Sequence, residues 1–294
     1  MLPDGTVVMA SADATELLLI HRRIGLIGVV PFDGAEAHCL AVLRDGGRDL
    51  LWVADPGFKH AVSGGRVRER LQDGRLVLLD FEGRVVRRIA NPYRDVTQPF
   101  RPTAIAVEDP SLGARSPVWV ADGYGSNSVL RLSAEGDVLF RLDGAAGKPF
   151  DCPHGIAVSI GAHGGEVVIA DRANFRLVVL DGTGAVTRVL IHPLFTAPSS
   201  LAYWRSGLLV TDLDEGLYYV EGGAVVPLVA GDGEQGPGWP NRVTDAGVEP
   251  PLLLGSAPRA AHGLGVDAAD GIAYLSEWCL DGRLLEVRLE TMHP

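Results

Sequence analysis

Three of the eight histidines in this chain of 294 residues, His38, His154 and His262, occupy one place in a recurring sequence unit, just before a short apolar strand. In chain order the residue at that place is Asp4, His38, Thr103, His154, Ser199 and His262, so histidine takes every second unit. If the units are arranged radially with their first strands along the axis, alternate units lie a third of a turn apart. Three imidazoles then converge on one point at one height. Three neutral nitrogens with positions left open for water or substrate suit a catalytic Zn2+ or another divalent transition metal. A single histidine at a strand start more often hydrogen-bonds a neighbouring loop; the alternation of three favours the metal site. His21, His60, His163, His192 and His293 share no such register and are assigned no metal role.

In an antiparallel unit the second strand returns to the end from which the first began, so the residue closing it shares a face with the histidines. That residue is Asp55, Asp122, Asp171 and Asp212 in four units and Glu277 in a fifth, each able to cap the turn that follows. The N-terminal unit has Arg22 there instead. Arg172 directly follows Asp171, and Tyr124 stands two residues after Asp122. Two guanidinium groups and a phenol beside a metal suit an anionic small-molecule substrate. Arginine grips a carboxylate through paired hydrogen bonds, and nearby positive charge lowers a phenol's pKa toward use as a base. The same spacing also allows Arg22 and Arg172 to be ion-pair partners of the turn acids and Tyr124 to be a rim aromatic. Cys39 and Cys152 adjoin ligand candidates, but as small buried packing residues they need no part in the chemistry.

The elements that must hold these residues are short strands. The unit around His154 reads CPHGIAVSI, GGEVVIADRAN, FRLVVLDGTG and AVTRVLI; that around Thr103 reads RPTAIAVED, SPVWVADGYG, NSVLRLSAEG and DVLFRLDG. AHCLAVLRD with LLWVADPG, APSSLAYW with GLLVTDLDE, and AHGLGVDA with IAYLSEW begin three more. LPDGTVVMA with ELLLIHRRIG fits the same frame as a sixth. The strands are rich in β-branched residues and bounded by Gly, Asp or Pro, and the 37 glycines and 19 prolines are spread over the whole length, as antiparallel meanders require. No stretch keeps apolar residues at helical spacing for three turns. A lone meander cannot bury both faces, whereas six stacked around an axis can. The expectation is therefore an all-β, six-bladed β-propeller, one domain over residues 1–294. With 47% apolar residues there is ample material for its core. The last unit ends at RLLEVRLE, short of a fourth strand. Two long Gly/Pro-rich insertions, after Asp55 and ahead of His262, belong to the histidine-bearing rim and read as a lid or pocket wall. Tyr93, Arg94 and Trp239 are further pocket candidates.

Charge bounds the partners. With 26 Lys and Arg against 37 Asp and Glu, a formal charge of -11, no broad cationic face is expected for nucleic acid or a membrane surface. Three dispersed cysteines make no disulfide framework and fit a reducing compartment. No run approaches the roughly 18 apolar residues of a spanning helix, and the start lacks a signal-type apolar segment. A soluble, cytoplasmic and monomeric protein is expected.

At these residues the chain resembles the peptidyl-α-hydroxyglycine α-amidating lyases, a metal-dependent branch of the NHL-repeat propellers, over nearly its whole length. LLLIHRRIG, with the later FDG, is similar to the segment bearing that family's catalytic arginine, which falls on Arg22. ADGYGSNSV is similar to the segment with its catalytic tyrosine, which falls on Tyr124, and ADRANFRL carries its second active-site arginine onto Arg172. Its three zinc-ligating histidines fall on His38, His154 and His262. The resemblance implies a propeller of the NHL-repeat type and a zinc-dependent lyase that breaks the C–N bond of an N-acyl-α-hydroxyglycine to release a primary amide and glyoxylate. The family's structural calcium uses an aspartate after the third histidine; here Gly263 follows His262, which argues against calcium. Its disulfides, its partner hydroxylating domain and its secretory signal also have no counterpart. The expected role is accordingly metabolic or biosynthetic, on a small N-acyl or N-carbamoyl hydroxyglycine or a similar carbinolamide, rather than peptide-hormone amidation. Two other readings stay open at this level: a metal-dependent hydrolase or cyclase on the same scaffold, and a non-catalytic NHL-type binding platform.

Overall fold

The computed structural model describes the chain except residues 3, 12–15, 64–65, 96, 161–164, 235, 254 and 290–294 and the side chains of residues 60–67. The fold is a six-bladed β-propeller. Blades two to five are four-stranded meanders, hydrogen-bonded in chain order from the inner strand outward. Their strands are Cys39–Asp45, Arg48–Asp55, Arg75–Asp80 and Val85–Ile89; Ala104–Val107, Val118–Asp122, Ser128–Leu132 and Val138–Leu142; Pro153–Val158, Val167–Asp171, Arg176–Leu180 and Val186–Ile191; and Pro198–Trp204, Gly207–Asp212, Gly216–Glu221 and Ala224–Ala230. Blade six has three strands, Ala261–Asp267, Ile272–Glu277 and Leu284–Arg288, and blade one has three, Thr6–Ala10, Glu16–His21 and Gly25–Pro31.

Sequence pattern follows position in the blade. The second and third strands are covered on both faces by neighbouring blades and read as continuous apolar runs, VVIAD and RLVVL in blade four, buried at every residue. The outermost strand of that blade, VTRVLI, meets solvent and is largely exposed. Between the third and fourth strands, Asp80, Ser133 and Asp181 each accept hydrogen bonds from backbone N–H groups of the following turn. The glycine three residues later, at 83, 136 and 184, takes a φ of 82°, 100° and 92°, a conformation that a Cβ would penalise.

Six apolar clusters fill the six interfaces between blades, so the ring is closed by packing. Trp52 lies between blades two and three and Trp119 between three and four, each 1% exposed; truncating a side chain of that kind costs about 3–5 kcal/mol. The interface of blade one with blade six is the sparsest, with Val7, Ile272 and Tyr274 as its buried members.

Blade one departs from the expected frame. Its first strand pairs Thr6 with His21, and the adjoining Arg22 bonds Asp270, in the turn of blade six remote from His262, and Glu286 on that blade's outermost strand. Thr6–Ala10 therefore runs opposite to the inner strands of the other blades. Among the described residues, blade one consists of second, third and fourth strands with no inner strand. Alternation of apolar residues with period two cannot reveal this, because the pattern reads the same in either direction.

Candidate metal centre

Five closing acids organise the histidine face. Asp55, Asp122, Asp171 and Asp212 are fully buried, as is the side chain of Glu277. Each accepts a backbone N–H from the segment two or three residues ahead of the axial residue of its own blade: Glu36 for His38, Arg101 for Thr103, Asp151 for His154, Ala197 for Ser199 and Arg259 for His262. Each also holds its own following turn, as expected, for example Asp55 on Gly57 N–H and Asp122 on Ser126 N–H. The acid thus clamps the chain entering the axis against the chain leaving the rim.

The histidines are then aimed by local irregularity. His154 and His262 are extra residues in β-bulges, since Pro153 and Gly155 pair with the adjacent Asp171 and Ala170, and Ala261 and Gly263 with Glu277 and Ser276. A bulge turns its unpaired side chain out of the pleat, here toward the axis. Two residues upstream, Cys152 and Ala260 adopt left-handed φ values of 52° and 51°. Their carbonyls accept the N–H of the residue that follows the closing acid, Arg172 in blade four and Trp278 in blade six. Gly155 lets blades four and five approach, because a Cβ there would collide with the Ser199 carbonyl oxygen.

The ligand atoms of His38, His154 and His262 all lie within 4.8 Å of one another. His38 Nδ1 lies 2.7 Å from the Thr103 carbonyl and His154 Nδ1 3.3 Å from that of Ser199. The intervening axial residues therefore hold two rings by their Nδ1–H and put the lone pair on Nε2, the tautomer a metal requires. For His262 the equivalent carbonyl would come from an inner strand of blade one, which is absent among the described residues; its ring packs against Trp278, with centroids 6.2 Å apart. Burial lowers the pKa of all three imidazoles, and the Arg172 charge lowers them further, so each is neutral at physiological pH. The donor set fits a divalent transition metal: three uncharged nitrogens, two pre-oriented from behind.

Tyr124 and Arg172 join this centre. The Tyr124 hydroxyl lies 3.1 Å from His154 Nε2. Its pKa is pushed up to about 12 by burial, against the downward pull of Arg172, so the expected lowering by nearby positive charge is outweighed. Arg172 donates from Nη2 to Ser199 Oγ at 3.1 Å, and its Nε is buried with no hydrogen-bond partner. No carboxylate pairs with it among the described residues. Arg22 does not join: its guanidinium is engaged by Asp270 and Glu286, each at 3.1 Å, at the far end of the propeller. It follows the plainer expectation of a structural ion pair, although with blade six rather than with a turn acid of its own blade.

Other sequence-level candidates divide. Tyr93 is buried, donating to Asp122 Oδ2 at 2.7 Å, and supports a closing acid rather than lining a pocket. Arg94 is exposed, and Trp239 is half-buried ahead of a cis Pro240. Cys39 contacts the interblade core on both sides, and neither it nor Cys152 joins the histidine cluster. His163 and His293 lie outside the described residues, as does the side chain of His60. The insertion after Asp55 forms a hairpin, Phe58–Ser63 with Arg66–Leu71, and the one ahead of His262 a second, Arg242–Thr244 with Gly247–Glu249; the two touch each other. Sequence reasoning missed a charged pair at this rim. Lys59 Nζ lies 2.7 Å from Glu36 Oε1. Lys59 is near enough to lower the pKa of His38 and His262, and Glu36 to raise those of His38 and Tyr124. Their only sequence signal is proximity to Asp55 and His38.

No family model matches the chain, and no curated protein matches it by sequence. Among solved structures it is similar to a protein of unknown function from Bacteroides caccae, at TM-score 0.58 and 13% identity over 96% of this chain and 89% of that one. It is similar also to a streptogramin B lyase, at TM-score 0.53 and 13% identity over 95% and 78% of the two chains. Virginiamycin B lyase from Staphylococcus aureus aligns at TM-score 0.48 and 12% identity over 85% and 69%. At this identity the likeness is one of fold. Among the described residues no helix is long and apolar enough to cross a membrane.

Proposed function

We propose that the chain is a metal-dependent lyase that cleaves the C–N bond of an N-acyl-α-hydroxyglycine, or a similar carbinolamide, into an amide and glyoxylate. The observation that carries this reading is the meeting of three neutral imidazoles with a phenol in hydrogen-bond contact and a guanidinium that has no carboxylate partner among the described residues. His38, His154 and His262 would hold Zn2+ or another divalent transition metal, whose charge, when bound, acidifies a hydroxyl group brought to it. The residues of the chain do the rest. Arg172 binds the glycine carboxylate, supplying the buried cation with the anion it lacks. Tyr124, neutral because burial holds its pKa near 12, relays a proton: it takes the one on the substrate hydroxyl and gives its own to the departing nitrogen. The hydroxyl oxygen's electron pair forms the aldehyde C=O, and the C–N pair leaves with the nitrogen. Atoms and charge balance with no oxidant and no water consumed. The closing acids are already committed to backbone and arginine donors, which leaves the phenol as the group placed to move the proton.

Metal content and glyoxylate release from the α-hydroxy derivative of hippurate test the reading together. Purified protein should carry one transition metal per chain and release glyoxylate, and Tyr124→Phe should keep the metal and lose most of the rate. Absence of bound metal in protein never exposed to chelator, or equal release by wild type and Tyr124→Phe, would overturn it.

A further inference from the structure

Among the described residues the exposed large apolar side chains sort by chemistry. Most are aliphatic and lie on outermost strands or away from the axis, such as Val85, Val138, Leu139 and Ile191. Three are aromatic, Tyr124 at 38%, Phe175 at 52% and Trp278 at 46% exposure. All three follow a closing acid on the histidine face, two residues after Asp122, four after Asp171 and one after Glu277. Tyr124 packs its ring edge-on against His38 and His154, but stability of the fold does not account for Phe175 and Trp278. A large aromatic ring left in water forgoes the burial that makes it worth having, and Phe175 in addition sits at a left-handed φ of 55°.

Trp278 occupies a defined slot. Its N–H bonds the Ala260 carbonyl at 2.9 Å, just as the Arg172 N–H bonds that of Cys152 at 3.2 Å and the Leu213 N–H that of Ala197 at 3.0 Å. Arg172 and Trp278 are therefore equivalent residues of blades four and six, a third of a turn apart around one centre, one presenting a cation and the other a flat apolar face. The Trp278 ring stacks on His262, with centroids 6.2 Å apart, and remains 46% exposed.

From this arrangement we infer that Trp278 binds an aromatic group on the acyl side of the substrate, so that the site prefers aryl-bearing acyl groups to small aliphatic ones. The inference rests on the proposed reading for the carboxylate end, which Arg172 holds. The aryl end is independent of it. The probes are hippurate against N-acetylglycine, and benzamide against acetamide, titrated by NMR into metal-loaded protein. An aryl preference of about tenfold is expected in both pairs. Trp278→Ser should abolish it by lowering hippurate binding about tenfold more than N-acetylglycine binding, and Trp278→Phe should restore most of it. Equal binding within each pair, or an equal loss of aryl and methyl ligands in Trp278→Ser, overturns the inference. So does a change from dimer to monomer in Trp278→Ser with hippurate binding intact, which would mean that the rim covers a second copy of the chain. Failure of the lyase reading shows elsewhere, as absent glyoxylate release with the benzamide preference preserved.

Discussion

Arg172 and Arg22 carry the same group, follow comparable strand ends in the sequence, and have opposite surroundings. Arg172 lies at the histidine end of the propeller with a buried Nε that no group satisfies and, among the described residues, no carboxylate in ion-pair contact. Arg22 lies at the other end, partly exposed and bridged to Asp270 and Glu286. A cation already gripped by two acids has little left to offer a ligand. One left unpaired near three neutral imidazoles creates a field that an anion can satisfy. The difference shows that function is read from the balance of charge around a residue more safely than from its type.

The largest expected effect tests the centre itself. His154→Ala should lower metal affinity and activity by factors on the order of 10³, because two remaining imidazoles cannot complete the site; retention of metal, measured on the purified variant, would separate the cluster from metal binding. Next is the clamp behind it. Asp171 and Arg176 form a pair at 2.7 Å in which both side chains are under 5% exposed, and Asp171→Ala should cost about 3–5 kcal/mol in urea unfolding because a buried guanidinium loses its carboxylate and keeps only backbone carbonyls. Arg172→Met should raise KM for a carboxylate substrate by on the order of 10²-fold with metal content unchanged. If KM holds and stability falls instead, Arg172 is structural and the contrast with Arg22 dissolves.

Acid should distinguish the two ends more gently. The imidazoles of the centre have folded-state pKa values below the ordinary 6.5, so the unfolded chain takes up protons first as the pH falls. Stability of the metal-free protein, full above pH 6.5, should decline as the pH drops through that value toward the lower folded-state pKa values. His154→Gln should show a shallower decline in unfolding midpoint between pH 7.5 and 5.5, and an unchanged slope would refute burial of neutral imidazole. The smallest effect belongs to Arg22→Met: activity within about twofold and a melting shift of about a degree or two, fading further at high salt. A loss comparable to that of Arg172→Met would return Arg22 to the site.

Much of this was legible because the repeat is periodic. Strand punctuation, apolar runs and the acid that closes each second strand recur at fixed offsets, and offsets within a closed ring translate directly into angle and height. His38, His154 and His262 meet because each occupies the same offset in alternate blades. Arg22 was misplaced where the repeat is broken, since blade one runs its first strand the other way and a period-two pattern has no direction. Lys59 and Glu36 were missed because their pairing depends on how an inserted hairpin folds back, for which no other blade offers a template.

The sequence by itself determined the six-unit β architecture, the shared register of the histidines and the acids that clamp them, all consequences of local pattern repeated. Only the tertiary structure decided which charges are satisfied. Whether a guanidinium finds a carboxylate depends on residues 248 and 264 positions away, as for Arg22, or on the absence of any, as for Arg172. Coulomb and desolvation energies act through space and not along the chain, and that is why the site was visible in the sequence while its electrostatics were not.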